Sequence, residues 1–120
     1  MSSNISNHDL HTVAVADFEK TRQDIDNDRE LFDEIVQMFL EDSPALIASI
    51  RNELSSREFE TCRRNAHTLK GLVSVFFAER CRQAAERVEK LAGKEDCKNL
   101  VDELESSLNE LHAAIRSYQW

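Results

Sequence analysis

The chain has 120 residues, enough for one domain, with 41% apolar and 32% charged side chains and a net charge of −8. Only two glycines and one proline are present, too few turn-formers for an all-β fold, so the expectation is long helices joined by short polar loops. Net negative charge repels a phosphate backbone and speaks against nucleic-acid binding. No apolar run approaches the roughly 18 residues of a membrane span, and the start "MSSNISNHDL" lacks the basic and apolar regions of a signal peptide. A cytoplasmic protein is expected.

Residues 1–12 are polar and aperiodic, and read as a frayed arm ahead of a helical domain over 13–120. Val13, Ala16 and Phe18 suit one side of a short helix. "DIDND", Asp24 to Asp28, is a polar break with several possible N-caps. Leu31, Phe32, Ile35, Met38 and Phe39 then recur at helical spacing. At "EDSPAL" Ser43 suits a cap and Pro44 a first helical turn, so a new helix, or a kinked continuation, is expected to carry Leu46, Ile47, Ile50 and Leu54.

Three more apolar stripes follow, over about 59–77, 78–92 and 95–118. Gly93 is placed to close the second of these as a C′ residue. With the segment 44–55 they predict an all-α fold: an antiparallel up-down four-helix bundle, the earlier helices packing across one end or side. Cys62, Cys81 and Cys97 are odd in number, lack C-x-x-C spacing and fall on or beside apolar stripes. They read as reduced core residues. His112 lies beside the last stripe and reads as a helix-surface residue; Tyr118 and Trp120 have no assigned place.

The informative stretch is "NAHTLKG", Asn65 to Gly71. At about 100° per residue, Cys62, Ala66, Leu69, Val73 and Phe76 fill one narrow arc, and His67 lies about 140° from its centre, facing solvent. Arg63 and Arg64 share its face one turn away, Lys70 sits at the flank, and Gly71 and Ser74 leave space on the C-terminal side. An exposed imidazole with cations around it and room beside it suits a phosphoryl group: the neutral ring is a nucleophile near pH 7, and cations stabilise the transferring oxygens. The plain alternative is a solvated face. Against it stands Gly71, which costs roughly 1 kcal/mol relative to alanine inside a helix.

Here the residues resemble a known family. "AHTLKG", Ala66 to Gly71, is similar to the phosphoacceptor motif of histidine-containing phosphotransfer (HPt) domains of two-component phosphorelays, and "ELFDEIVQMFLEDSPALIASIRNEL" and "AERCRQAAERVEKLA" resemble the family's flanking helices. The resemblance implies a four-helix bundle in which His67 accepts a phosphoryl group from a receiver-domain aspartyl-phosphate and passes it to another receiver. It implies that Lys70 positions or neutralises the phosphoryl group and that Gly71 keeps the approach clear. It implies a polar residue on the following helix bonded to the inner imidazole nitrogen. Glu89 holds the matching position, with a simple surface glutamate as the other reading.

The same resemblance implies a phosphocarrier without its own turnover, a monomer whose partners are response-regulator receivers and a hybrid sensor histidine kinase. No metal or cofactor of its own is expected, Mg²⁺ coming from the receiver. The pattern departs after Gly71, where "LVSVFFAE" replaces small residues and Phe77 stands where the family places a second glycine. Extra packing against the N-terminal helix and an apolar docking patch are both open readings of Leu72 to Phe77. Another function class is an adaptor that binds a receiver or kinase without taking phosphate. A metal or redox protein is a third, but Cys62 and His67, five residues apart, point to different faces.

Overall fold

The computed structural model describes residues 15–120. The arm expected over 1–12 and Val13 lie outside the described residues. Among the described residues five helices are defined, in order: α1 Phe18–Asp24, α2 Arg29–Ser55, α3 Phe59–Ser74, α4 Glu79–Leu91 and α5 Lys98–Ser117. Helices α2 to α5 form the bundle: each packs on the next, and α5 returns to α2. Among the described residues no helix is long and apolar enough to cross a membrane.

The helix expected over 13–18 is interrupted at Ala16 and Asp17. Asp17 instead caps α1, its carboxylate accepting from the Lys20 N–H at 3.1 Å. Asp28 caps α2 in the same way through the Leu31 N–H at 3.0 Å. Between the two helices Asp26 and Asn27 both take φ of 55°. Short polar side chains tolerate this left-handed backbone better than others, which is why "DIDND" breaks the helix there.

Of the two readings at Pro44 the continuation holds and the new helix does not: α2 runs 27 residues unbroken through it, although a proline inside a helix costs about 3 kcal/mol. Phe39, Ser43, Ile47 and Ile50 explain the continuity, because they are buried on one face spanning the proline. Burying a large apolar side chain contributes about 1.5–3 kcal/mol, and three of them outweigh the local cost. Ser43, expected as a cap, hydrogen-bonds inward: its hydroxyl lies 2.7 Å from the Phe39 carbonyl and 2.7 Å from Nε2 of His112.

His112 is therefore not the surface residue its spacing suggested. It is only 9% exposed, against Ser43 and edge-on to Phe39. Burial, with Arg116 adding to it, pushes its pKa below the ordinary histidine value of 6.5. The folded protein thus binds a proton at His112 less readily than the unfolded chain does. Stability from this group is full above the unfolded value and is lost as pH falls below it. Chemical denaturation at pH 7.5 and 5.5 is expected to show a larger loss for the native chain than for His112→Gln. Equal losses would contradict the assignment.

Helix α3 stops at Ser74, short of the expected Phe77. The next residues make a tight turn in which Phe77 has φ of 55°, costing about 1–2 kcal/mol for a residue with a Cβ. That is the position where the resemblance expects glycine. The turn lets Phe76 bury completely, ring-to-ring with Phe18 and Phe39. Helix α1 fastens it from above: the Asp17 N–H donates to the Phe76 carbonyl at 2.9 Å and the Thr21 hydroxyl to the Val75 carbonyl at 2.8 Å. Lys20 lies over the Phe77 ring. Packing against the N-terminal helix accounts for Phe76 and Phe77, while Val75 remains 40% exposed.

Gly93 follows α4 with φ of 85°, and a Cβ there would come within 2.9 Å of the Phe59 ring. Gly93→Ala is expected to destabilise the fold by about 1–2 kcal/mol, from the left-handed backbone and the crowded ring together. A melting temperature equal to that of the unsubstituted chain would refute this. Helix α5 starts three residues later than Glu95, with Asp96 accepting from the Lys98 N–H at 3.0 Å. All three cysteines are free and buried, and burial pushes Cys62 and Cys81 up to about 11. They are inert core thiols. At the C-terminus Arg22 stacks 4.2 Å from the Trp120 ring centre and donates to the Tyr118 hydroxyl at 3.2 Å.

Candidate functional site

The inner face of α3 is Cys62, Ala66, Leu69 and Val73, all fully buried. That face fixes the helix rotation and turns His67 outward, its side chain 66% exposed. Helix α4 lies alongside α3 and antiparallel to it. Residues late in α4 therefore come level with residues before His67, and residues earlier in α4 with those after it.

Glu89 of α4 reaches across to the histidine. Its Oε2 lies 2.8 Å from Nδ1 of His67, and its Oε1 lies 2.8 Å from Nζ of Lys70. Lys70 also lies 3.8 Å from Oε1 of Glu86. Glu89 is only 25% exposed and Lys70 21%. Burial pushes the Glu89 carboxyl up, but the bonds to Lys70 and His67 outweigh it and hold the group below its usual range. An ionised carboxylate only accepts hydrogen bonds, so Nδ1 must be the donor. In the neutral ring the lone pair is then on Nε2, away from Glu89.

The cations are arranged differently from the sequence expectation. Arg63 does not stand free beside the histidine; its Nη1 donates to the Ala92 carbonyl at 2.8 Å and caps the end of α4. Lys70 is taken up by Glu89 and Glu86. Arg64 is exposed and has no ion pair among the described residues. Ser74 is folded back, its hydroxyl donating to the Lys70 carbonyl at 2.7 Å. A Cβ on Gly71 would meet nothing within 4 Å, so the side of the helix one turn past His67 is open.

A shallow groove of about 670 Å³ opens at the histidine on its other side, lined by Glu60, Arg63, Arg64, His67, Glu89, Lys90 and Lys94. Lys90 and Lys94 were missed in the sequence. They lie just after Glu89, and once Glu89 is set opposite His67 the antiparallel pairing places them beside Arg63 and Arg64. Glu86 was missed for the same reason. Among the described residues no group of three or more His, Cys, Asp or Glu side chains could hold a metal ion.

The family model described as Hpt domain matches residues 34–114, which run from α2 into α5 and include His67, Glu89 and the whole groove. No curated protein and no solved structure matches the chain.

Proposed function

The chain belongs to the Hpt domain family, whose members carry phosphoryl groups in two-component signalling, and on that premise we propose that it is a phosphorelay intermediate with His67 as its phosphoacceptor. The observation that carries the assignment is the Glu89 bridge. One carboxylate holds Nδ1 of His67 and is itself held by Lys70, so the exposed ring presents Nε2 as the nucleophile.

In this reading the Nε2 lone pair attacks phosphorus of a receiver's aspartyl-phosphate. The N–P bond forms as the P–O bond to the aspartate breaks, and the electron pair leaves with the carboxylate. No proton moves: Nδ1 keeps its hydrogen, and the ring gains a positive charge facing Glu89. Transfer to the next receiver is the reverse. Glu89 is thus a positioning residue that also stabilises the charged ring, and Lys70 positions Glu89. Gly71 keeps one side clear for the approaching partner.

The chain supplies a placed nucleophile, which is the proximity contribution to the rate. The receiver supplies its Mg²⁺ and the groups around the aspartate. The domain acts as a monomeric cytoplasmic carrier between a hybrid sensor histidine kinase and receiver domains, without turnover of its own. Incubation with a phosphorylated receiver tests this. Acid-labile, base-stable label on this chain is the expected result. Receiver binding without any label would overturn the carrier assignment and leave an adaptor.

A further inference from the structure

Given a phosphoryl group on His67, the groove determines which cations meet it. A helical side chain leans toward the N-terminal end of its helix and covers the preceding turn. For His67 that turn carries Arg63 and Arg64, the α3 wall of the groove. The α4 side adds Lys90 and Lys94. Four cations there face two carboxylates, Glu60 and Glu89, on a chain whose net charge is −8.

These cations are not equally available. Arg63 keeps its charge, but its Nη1 is tied to the Ala92 carbonyl, which holds the guanidinium at the end of α4. Lys90 is 71% exposed and only 3.9 Å from Glu86, a loose pair. Arg64 and Lys94 have no ion pair among the described residues and stand exposed in the groove wall. Lys70, by contrast, is closely held by Glu89 at 2.8 Å and is not among the residues lining the groove. Releasing it to a phosphoryl group would break the contact that holds Glu89, and Glu89 is what orients His67.

We propose that the phosphoryl oxygens on His67 are met by Arg64 and Lys94, with Lys90 in support, and that Lys70 acts only through Glu89. The inference rests on His67 being the phosphoacceptor, and the test separates the two. Exposed charges act through solvent and are screened by salt, so their contribution is small and dependent on ionic strength. The quantity to measure is the equilibrium constant for phosphoryl exchange between one receiver and this chain, at low and high salt. It compares free species, so a change in receiver docking does not affect it. The receiver's own salt dependence is common to every variant.

Arg64→Ala/Lys94→Ala is expected to shift the equilibrium toward the phosphorylated receiver by about five- to tenfold at low salt, and to lose most of this chain's salt dependence. Lys70→Ala is expected to slow the approach to equilibrium while keeping the salt dependence. The double variant replaces exposed side chains, and circular dichroism confirms its fold. Retained salt dependence in the double variant, or its loss in Lys70→Ala, overturns the proposal. Absence of label on the unsubstituted chain refutes the carrier assignment instead.

Discussion

His67→Gln is expected to abolish labelling from a phosphorylated receiver while leaving the bundle intact. The histidine is 66% exposed, and its described polar partner is Glu89. Glutamine keeps an N–H donor that can reach the same carboxylate but has no lone pair able to attack phosphorus. Glu89 and Lys70 therefore stay partnered, and surface substitutions of this kind change stability by about 0.5 kcal/mol or less. Label retention and a thermal melt, followed by circular dichroism, measure the two effects separately. Label on His67→Gln equal to that on the unsubstituted chain would remove His67 from the mechanism.

The direction of His67 was legible because the buried arc of its helix is narrow. Cys62, Ala66, Leu69 and Val73 leave one rotation that buries all four, and the histidine falls outside it under that rotation. Gly93 was legible too, since a helix end with a positive φ needs no information from the rest of the chain. Pro44 left two readings open because local propensity argues for a break, while the burial that carries the helix through it is tertiary. The short α1 and the turn at Phe77 form one assembly, in which Asp17, Phe18 and Thr21 meet Val75 and Phe76. Contacts between residues more than fifty positions apart leave no periodic trace.

His112 shows the same limit on the opposite side of the bundle. Its spacing put it at the edge of a stripe, and only the partner helix, through Ser43 and Phe39, draws it inside. Around His67 the sequence identified the positive residues of α3 but neither their partners nor Lys90 and Lys94 of α4. Lys70 was expected to face phosphate, yet two carboxylates of α4 lie beside it. Charges on one helix can be counted from spacing. Which of them are already neutralised depends on the register of the neighbouring helix, and that register became readable only through Glu89.

Removing Glu89 is expected to cost more than any change near His67 other than loss of the histidine itself. In Glu89→Ala the ring can turn, and its proton can sit on either nitrogen, so the productive Nε2 lone pair is present only part of the time. Misplacing a reacting group by about 1 Å can slow a reaction about a hundredfold, and a loss of that order in the single-turnover transfer rate is expected. Lys70 keeps Glu86 within 3.8 Å, so the substitution leaves no isolated buried charge, and the fold is expected to hold.

Glu89→Gln separates orientation from charge. Its amide oxygen still accepts from Nδ1–H, so the ring regains its direction. It lacks the negative charge that meets the positive ring of the phosphorylated state, and a neutral acceptor is about half as strong as a charged one. About tenfold of the lost rate is expected to return, with the remaining tenfold assigned to the carboxylate. The pH dependence follows from the depressed Glu89 carboxyl. A folded-state value below the ordinary one keeps Glu89 ionised as pH falls through the usual carboxylate range, so its support for transfer is lost only below that range. An Ala variant as fast as the native chain would show that Glu89 is only a surface glutamate. A Gln variant as slow as Ala would place the whole effect in the charge and none in the orientation.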